Sequence, residues 1–316
     1  MDLSIIIVSY KSKDHLAVLL PSIFESVGVG FVGPAIGRPD SSQAMPGPTS
    51  KAQDKPVEYS AEVIIVDNDS RDGTSEWLEQ KIRGREIPAL LIRNQNTGFA
   101  AGNNLGIKQS SGRYILLLNP DTKLEPDTLK TMLEFMDSRP DVGISGCKLI
   151  KADGTLDLAC RRRFPNPWNS FKRLFLLDRK DYNYGNIDIN QSMEVDSVVG
   201  AFLLIRKSVI DKIGLLDESF FMYGEDLDWC LRCKQAGFKV WYYPKTFIHH
   251  YKGESSKKAP FKMLKAFHNA MWIFYKKYHF KNHFVIFNYL VWLGIYGRLG
   301  ALVILNSFKS NPTVSK

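Results

Sequence analysis

The sequence predicts an α/β protein built on a mostly parallel, doubly wound sheet. Apolar runs rich in isoleucine, such as LSIIIVSY at residues 3–10, are typical of parallel strands that are buried on both faces. These runs alternate with segments of helical periodicity, which favours parallel strands joined by helices. The chain has 316 residues, of which 44% are hydrophobic, so it can form a full core.

The first 150 residues carry most of the predicted sheet. Strands are expected at residues 3–8, 62–66, 89–92, 114–118 and 142–149. Helices are expected at residues 14–26, 75–82 and 125–138, and a further helix follows the segment NQNTGFAAGNNLGI. Residues 28–59 are rich in Gly, Pro, Ser and Ala and lack apolar periodicity, which predicts a long flexible insertion.

The pattern changes after residue 151. A strand-like segment, VDSVVGAFLLIRK, is followed by a helix at residues 207–213 and, further on, by the strand KVWYYP. We therefore expect a first domain at residues 1–256, made of the halves 1–150 and 151–256, and a helical tail at residues 257–316.

Charge and cysteine content narrow the class of protein. A net charge of +9 favours anionic partners such as nucleotide diphosphates, nucleic acid or acidic lipid, although it also serves solubility. Cys230 and Cys233 form a CxxC pair, but no second pair lies at zinc-ribbon spacing. We expect all four cysteines to be reduced thiols in a cytosolic protein, and we expect no signal peptide.

Polar side chains follow three of the predicted strands, at the ends where open α/β sheets bind ligands. Any one of these side chains can act as a helix cap or turn residue, but three clusters together favour a ligand site. They are Ser9 and Tyr10 after the first strand, Asp67 and Asp69 after the second, and Asn119 and Asp121 after the fourth.

A glycine- and asparagine-rich turn is a candidate phosphate-binding segment. The chain has no Walker P-loop and no GxGxxG after its first strand, so a nucleotide requires a different design. Backbone amides at the glycines could approach a phosphate or a ribose. The residues expected to contact a nucleotide there are Asn96, Gly98, Gly102 and Asn103.

Acidic and imidazole side chains offer metal and proton chemistry. Asp121 is a candidate ligand for Mg²⁺ or Mn²⁺, which would neutralise a departing diphosphate. His250 is a candidate second ligand, although a lone histidine after a strand is often an ordinary core or surface residue. Glu225 and Asp226 open a predicted helix, whose dipole stabilises acids; the alternative is a general base for an acceptor hydroxyl.

Seven segments together resemble the family 2 glycosyltransferases, in the branch that includes bacterial rhamnosyltransferases of cell-surface polysaccharide assembly. They occur in the order that the family shows, up to about residue 256: SIIIVSY, VIIVDNDSRDGT, NQNTGFAAGNNLGI, YILLLNPD, VVGAFLLIRK, FFMYGEDLDWCLR and HHYKGESS. The resemblance implies an A-type glycosyltransferase fold, in which half 1–150 binds a nucleotide sugar and half 151–256 binds an acceptor.

The resemblance also implies roles for residues of the first half. Asp67 and Asp69 would lie at the nucleoside pocket. Asp121 would be the last acid of the DxD metal motif, whose first position is Asn119 here. This departure leaves one carboxylate for the metal.

In the second half, Asp226 matches the family's catalytic base. His250 fits the metal-binding histidine better than His249, because Gly253 and Ser255 follow it at the family's usual offsets. Contacts with the acceptor are expected from Gly200, Ala201 and Glu225.

The implied reaction is a metal-dependent, inverting transfer in cell-surface glycan synthesis. The expected donor is dTDP-L-rhamnose and the expected acceptor is a hydroxyl of a lipid-linked or polysaccharide glycan. The alternatives are a UDP-sugar donor and a non-catalytic nucleotide-sugar-binding protein; the presence of Asp121, Asp226 and His250 argues against the second. Nucleic-acid binding is not expected, because the sequence has no recognised binding motif and its aromatic residues gather in an apolar tail.

The tail is predicted to hold the protein on the cytoplasmic face of a membrane. Lysines at residues 262–281 lie among aromatic residues, a mixture that suits an anionic bilayer surface. Residues 284–308 are long enough to span a bilayer core of ~30 Å, but Arg298 near their middle disfavours a simple span. We expect helices in the interface; the alternative is a buried helical hairpin that completes a soluble fold or forms a dimer contact.

Overall fold

The computed structural model describes residues 1–33, 58–175, 180–251 and 260–308. Ten strands within these ranges form one sheet: β1 (Leu3–Ser9), β2 (Val29–Phe31), β3 (Tyr59–Asn68), β4 (Ala89–Asn94), β5 (Tyr114–Leu118), β6 (Thr122–Leu124), β7 (Val142–Lys151), β8 (Met193–Glu194), β9 (Phe202–Arg206) and β10 (Lys239–His250). The α-helices are α1 (Lys13–Phe24), α2 (Thr74–Arg83), α3 (Phe99–Gln109), α4 (Thr128–Ser138), α5 (Pro167–Phe175), α6 (Lys207–Ile213), α7 (Glu225–Gln235), α8 (Pro260–Tyr278) and α9 (Val285–Ser307).

The sheet is mixed but mostly parallel. Its strand order is β2-β3-β1-β5-β9-β7-β10-β6, while β4 also pairs with β3 and β8 with β10. β1 runs parallel to β3 and β5, and β7 runs parallel to β10. β9 lies between β5 and β7 and is antiparallel to both. The predicted α/β fold with a mostly parallel sheet is confirmed.

The central strands and the helices on them form the main core. Leu3–Ser9 is buried along its whole length, as predicted for a strand that is covered on both faces. A Cβ at Gly106 of α3 would lie 2.5 Å from Cγ2 of Ile6 in β1. Glycine at this position therefore lets α3 approach the sheet closely.

Several predicted elements differ from the observed ones. Residues 29–31 of the predicted insertion 28–59 form β2, which pairs with the start of β3; residues 34–57 lie outside the described ranges. The strand expected at 195–207 shortens to β9, because the chain turns at Gly200 and Ala201. β10 continues past KVWYYP to His250 through an irregularity between Tyr242 and Phe247.

Helix α8 packs on the half formed by residues 151–256. Ala270 and Phe274 are buried together with Phe220 and Leu227 in a second core cluster. The carboxylate of Asp228 accepts hydrogen bonds from Lys277 and from Tyr278, each 2.6 Å long, and its side chain is fully buried. These contacts fasten α8 to α7.

Helix α9 packs antiparallel on α8 through polar side chains. Tyr275 donates to Asn288 at 2.6 Å, Tyr296 donates to Asn269 at 3.2 Å, and Arg298 lies 2.9 Å from His268. The other faces of α9 are apolar and exposed, and only 11% of its most apolar 18-residue window is buried. The alternative of a buried helical hairpin therefore does not hold for both helices, because α8 packs against the core cluster whereas α9 is largely exposed. Among the helices that the structure describes, α9 is the one that is long and apolar enough to cross a membrane.

Candidate active site

The predicted site residues gather along one edge of the sheet. Ser9 at the end of β1 is paired in register with Asp67 of β3. Leu118 at the end of β5 is paired with Phe202, so the start of β9 lies at the same edge. The carboxyl ends of parallel strands meet there, which is the edge where open α/β sheets bind ligands.

Asp67 and Asn68 connect the end of β3 to the glycine-rich turn. Asp67 is buried, and the hydroxyls of Ser70 and Ser75 donate to its carboxylate. Asn68 donates to the carbonyl of Gly98 at 3.0 Å. The turn before α3 is therefore held against the strand end where a nucleoside is expected.

A glycine is required at position 98 because of the backbone conformation there and the nearby carbonyl group of Phe221. Its φ is +105°, and a Cβ there would lie 2.4 Å from the carbonyl oxygen of Phe221, so any side chain would clash. The amide of Phe99 donates to the same carbonyl at 2.7 Å. The turn thus joins the half formed by residues 1–150 to the segment that leads into α7.

Gly102 does not have the role that the sequence suggested. Its amide donates within α3 to the carbonyl of Gly98 at 3.1 Å, so it is not available to a phosphate. A Cβ there would lie 3.0 Å from both Asn68 and Val8. We assign Gly102 to close packing of helix on sheet.

Tyr10, Asp69 and Asn96 lie at the partly exposed rim of this edge. Asp69 has a φ of +63° and pairs with Arg71 at 2.7 Å, so its carboxylate is engaged on the surface. The ammonium of Lys11 lies 5.5 Å from the centre of the Tyr10 ring. These side chains are accessible to a nucleotide base or ribose without rearrangement of the core.

Four of the predicted site residues carry a buried polar atom without a hydrogen-bond partner among the described residues. Leaving such an atom unpaired costs about 1–3 kcal/mol, so these atoms mark places where a ligand can bond. They are Ser9 Oγ, Asn103 Oδ1, Asn119 Oδ1 and Glu225 Oε2.

Asp121, His250 and Asp157 form a buried chain of polar side chains. Nε2 of His250 lies 3.5 Å from Oδ1 of Asp121, and its Nδ1 lies 3.1 Å from Oδ2 of Asp157. His250 pairs with Thr122 of β6, which places the ring beside the Asn119–Asp121 turn. His249, by contrast, lies 3.5 Å from Glu125.

The two carboxylates control the charge of His250. Burial alone would lower the pKa of His250, but the hydrogen bonds and charges of Asp121 and Asp157 raise it to about 9. For Asp121 the effects have the opposite signs: burial alone would raise its pKa, but the hydrogen bond and the charge of His250 lower it. Without a bound cation, the imidazolium form balances the two acids.

The donor set fits a divalent cation held partly by substrate. Asp121 offers a carboxylate oxygen and His250 a ring nitrogen, while Asp157 holds the other ring nitrogen, as partners of metal-bound histidines do. In the described part of the chain, no three His, Cys, Asp or Glu side chains gather as a metal site. The protein would therefore supply two ligands, and a diphosphate the others.

Asp226 is held in a single orientation at the start of α7. Its Oδ2 lies 2.9 Å from the guanidinium of Arg162 and accepts the amide of Gly200 at 3.0 Å. The amide of Leu227 donates to Oδ1 at 2.8 Å. Arg162 is itself fixed by Ser197 and Val198, so the carboxylate has little freedom to rotate.

Gly200 and Ala201 position other groups, and the expectation that they contact an acceptor stays a prediction. The amide of Gly200 is used by Asp226, and the carbonyl of Ala201 accepts the amide of Asn119 at 3.1 Å. Both residues are buried. One dipeptide thus links the candidate base to the turn that carries the candidate metal ligand Asp121.

Glu225 is buried next to Asp226 but has a different environment. Burial, and next the charge of Asp226, raise the pKa of Glu225 well above its usual value. This outweighs the stabilisation that a helix N-terminus gives to an acid. Glu225 therefore carries a proton near neutral pH and can donate a hydrogen bond.

Sequence reasoning missed Asp157 and Arg162. Asp157 lies 93 residues before His250, and Arg162 lies 64 residues before its partner Asp226. Neither sits in a recognisable motif, so no local signal could have assigned them. The motif residues Gly253 and Ser255 lie outside the described residues.

This fold and this edge of the sheet define the class of protein, an A-type glycosyltransferase. The chain belongs to glycosyl transferase family 2, whose model matches residues 51–214, more than half of the chain. Asp226 and His250 lie beyond that match, so their assignment rests on geometry and motif order.

Several relatives are named as rhamnosyltransferases. The N-acetylglucosaminyl-diphospho-decaprenol L-rhamnosyltransferase of Mycobacterium tuberculosis is 26% identical over 257 residues, which cover 73% of this chain and 78% of the relative. The dTDP-rhamnosyl transferase RfbF of Shigella flexneri is 25% identical over 204 residues, covering 64% and 63%.

Solved structures share the fold. S. aureus TarS (residues 1–349) in complex with UDP-GlcNAc has a TM-score of 0.53 and 17% identity, with 87% of this chain and 65% of that chain covered. GalNAc-T7 with UDP, GalNAc and Mn²⁺ has a TM-score of 0.55 and 14% identity, with 79% and 44% covered.

Proposed function

We propose that this protein is an inverting glycosyltransferase that uses a nucleotide diphosphate sugar. The observation that carries the proposal is the link between Asp226 and Asn119 through Gly200 and Ala201. This link supports the proposal because it connects a buried carboxylate to the turn that carries the candidate metal ligand Asp121. A sugar between them would have its anomeric carbon open to attack from the side opposite the diphosphate.

In the proposed reaction, Asp226 takes the proton of an acceptor hydroxyl while the hydroxyl oxygen attacks the anomeric carbon. The bond from that carbon to the diphosphate oxygen breaks in the same step, so the configuration inverts. Arg162 and the amide of Gly200 keep the Asp226 carboxylate aimed during transfer. Glu225 can bind the acceptor through its protonated carboxyl group.

A divalent cation, Mg²⁺ or Mn²⁺, bound by Asp121 and His250 would stabilise the negative charge of the departing diphosphate. Asp157 orients the His250 ring for this role. Ser9, Asp67, Asn103 and Asn119 are the proposed contacts of the nucleotide, with Tyr10, Asp69 and Asn96 at the rim. The structure of GalNAc-T7, which shares the fold, contains Mn²⁺ and supports the choice of metal.

The proposed donor is dTDP-L-rhamnose and the proposed acceptor is a lipid-linked or polysaccharide glycan. The names of two relatives support this choice, one by its dTDP-rhamnosyl activity and the other by its diphospho-decaprenol-linked substrate. A UDP-sugar is the alternative donor, supported by the UDP-GlcNAc complex of a protein with the same fold.

A screen of nucleotide sugars with Mn²⁺ or Mg²⁺ tests the proposal, and the Asp226→Asn variant tests the mechanism. We expect turnover to fall by at least ~10²-fold in this variant while donor binding stays nearly unchanged, because only the proton acceptor is lost. Asp211→Asn, at an exposed acid of α6, is the control and should keep full activity. Near-native rates in Asp226→Asn would show that another group is the base.

A further inference from the structure

An apolar groove of about 590 Å³ opens directly beside the two acids of α7. Tyr223, Gly224 and Leu227, which flank Glu225 and Asp226 in the sequence, are among its lining residues. Helices α5, α8 and α9 form its walls. This volume lies within the roughly 300–1,000 Å³ that is usual for small-molecule sites.

The described lining residues are uncharged, which distinguishes this groove from the polar site proposed for the donor. None of the described residues that line it is Asp, Glu, Lys or Arg, and most are aromatic or aliphatic. Burial lowers the pKa of His279 in the wall, and its Nε2 lies 3.0 Å from the carbonyl of Pro165. None of the described lining residues offers a fixed positive charge to a sugar diphosphate, whereas a hydrocarbon chain would lose only water contacts.

The groove leads from the catalytic acids to the most apolar surface of the molecule. Leu290 of α9 and Trp168 and Phe171 of α5 line it and are themselves exposed. The exposed side chains of α9 continue from there as an apolar surface. A chain bound in the groove would therefore have one end at the acids and the other at a surface suited to a membrane.

The two residues that precede the acids, and that line the groove, have left-handed backbone conformations. Tyr223 has a φ of +72° and Gly224 a φ of +86°. A left-handed conformation in a bulky residue such as tyrosine costs about 1–3 kcal/mol and is kept where the structure uses it. Here it presents the Tyr223 ring to the groove, packed edge-on against Phe267, while the next two residues are the acids.

We propose that this groove binds the hydrocarbon tail of a lipid-linked acceptor and so delivers the acceptor hydroxyl to Asp226. The inference rests on the proposed glycosyl transfer and assigns a binding site to one part of its substrate. Tail binding lowers the entropy cost of orienting the sugar at the acids, since the lipid is held before the chemistry begins.

Gly294 allows the groove to be filled without disturbing the fold. It lines the groove, and a Cβ there would meet nothing within 4 Å. Gly297 on the same helix also has open space around its Cβ but does not line the groove. Gly294→Phe and Gly297→Phe are therefore a matched pair, equal in added apolar surface on α9.

The test is binding of a short-chain fluorescent polyisoprenyl phosphate that carries no sugar. We expect Gly294→Phe to weaken binding at least ~10-fold and Gly297→Phe to leave it unchanged. In transfer assays, Gly294→Phe should raise KM for a lipid-linked acceptor and leave transfer to its water-soluble, tail-free analogue unaltered. Equal affinity of the wild-type protein, Gly294→Phe and Gly297→Phe for the probe would overturn the proposal.

Two other occupants would show themselves in the same experiments. Equal displacement of the probe by a diacyl phospholipid would assign the groove to bilayer lipid, and loss of a dimer in Gly294→Phe would assign it to a second copy of the chain. Either result overturns the proposal. If the probe binds as expected but no nucleotide sugar supports transfer, the proposed function fails and the groove assignment stands.

Discussion

At the start of α7, two adjacent acids have unlike surroundings and can therefore do different chemistry. Asp226 is ion-paired and receives two backbone amides, whereas Oε2 of Glu225 has no partner among the described residues. Both lie at a helix N-terminus, which stabilises anions. The helix dipole alone would stabilise the charged forms of both acids alike. Burial of Glu225 and the contact of Asp226 with Arg162 make their environments different.

The substitution Glu225→Gln should remove the loss of folding stability that ionisation of Glu225 causes in the wild-type protein as pH rises. Folding raises the pKa of Glu225 above its ordinary 4.5, so the folded state binds this proton more tightly than the unfolded state. The resulting stabilisation is full below the unfolded pKa and is lost as pH rises through the folded pKa. Relative to wild type, Glu225→Gln should gain several degrees in Tm between about pH 5 and about pH 9.

Thermal unfolding of three proteins at both pH values measures this effect. Glu134→Gln, at an exposed glutamate of α4, is the control and should follow wild type at each pH. A Tm difference between Glu225→Gln and wild type that does not change with pH would contradict the raised pKa.

Chelation of divalent cations should abolish transfer, and Asp121→Ala should do the same while weakening nucleotide diphosphate binding. The physical reason is that the protein offers few ligands here, so loss of one carboxylate removes most of the protein's hold on the cation. Titration of dTDP and steady-state rates measure the two effects. The control is Asp153→Ala, which changes an exposed acid in a turn and should keep wild-type activity and dTDP binding. Full activity in excess EDTA would contradict the metal site and leave His250 with a structural role only.

Residues that close strands could be predicted, and residues that support them could not. Ser9, Asp67 and Asp121 follow apolar runs in the sequence, so their common edge follows from parallel pairing alone. Asp157 and Arg162 reach the site through long-range contacts that no local pattern encodes. Gly102 was misassigned because glycine serves both phosphate approach and close packing, and only the structure distinguishes the two.

At the scale of elements, the long segment after α1 is partly a strand. Val29 is buried, and the Phe31 ring packs edge-on against Phe24 with centroids 5.0 Å apart. Strand β2 has only three residues, too few for a visible alternation of polar and apolar positions. Composition therefore predicted a loop where pairing with β3 makes a strand.

Replacing residues 34–57 with a Gly/Ser linker of about a dozen residues should leave Tm nearly unchanged. β2 and β3 run parallel, so the linker must return along the strand and a direct junction would be too short. Flexible loops lose little entropy on modest changes of length. A second deletion that also removes residues 28–33 is the comparison.

That larger deletion should lower Tm by several degrees, because a buried valine alone contributes about 1.5–3 kcal/mol. Thermal unfolding of the two variants beside wild type distinguishes them. Loss of cooperative unfolding in the shorter deletion would show that residues 34–57 belong to the core.

At the scale of the whole molecule, α9 inverts the pattern of a soluble surface helix. Its polar side chains Asn288, Tyr296 and Arg298 contact α8 or its connection, and its outer faces are apolar. Arg298, whose place in the sequence disfavours a simple span, contacts His268 of α8. Since α8 is fixed to α7 by Asp228, a bilayer that receives α9 must lie against the catalytic half, which favours a helix in the interface.

We expect this apolar surface to hold the protein on an anionic membrane, with exposed lysines of α8 such as Lys262, Lys265 and Lys276 meeting the headgroups. Truncation after residue 256 would also remove α8 and open the cluster around Phe220, so surface substitutions are the cleaner test.

The combined variant Ile286→Asp, Leu293→Asp and Ile304→Asp changes three exposed residues of α9 that do not line the groove. Sedimentation with anionic liposomes should fall at least ~10-fold, because each aspartate opposes entry into the apolar interface. Transfer to a water-soluble acceptor should not change, since the substitutions leave the sheet edge intact. Val18→Asp and Ile189→Asp, at exposed apolar positions elsewhere, should sediment like wild type. Equal sedimentation of all these proteins, or a wild type that stays soluble beside liposomes, would mean that α9 does not attach the enzyme to a membrane.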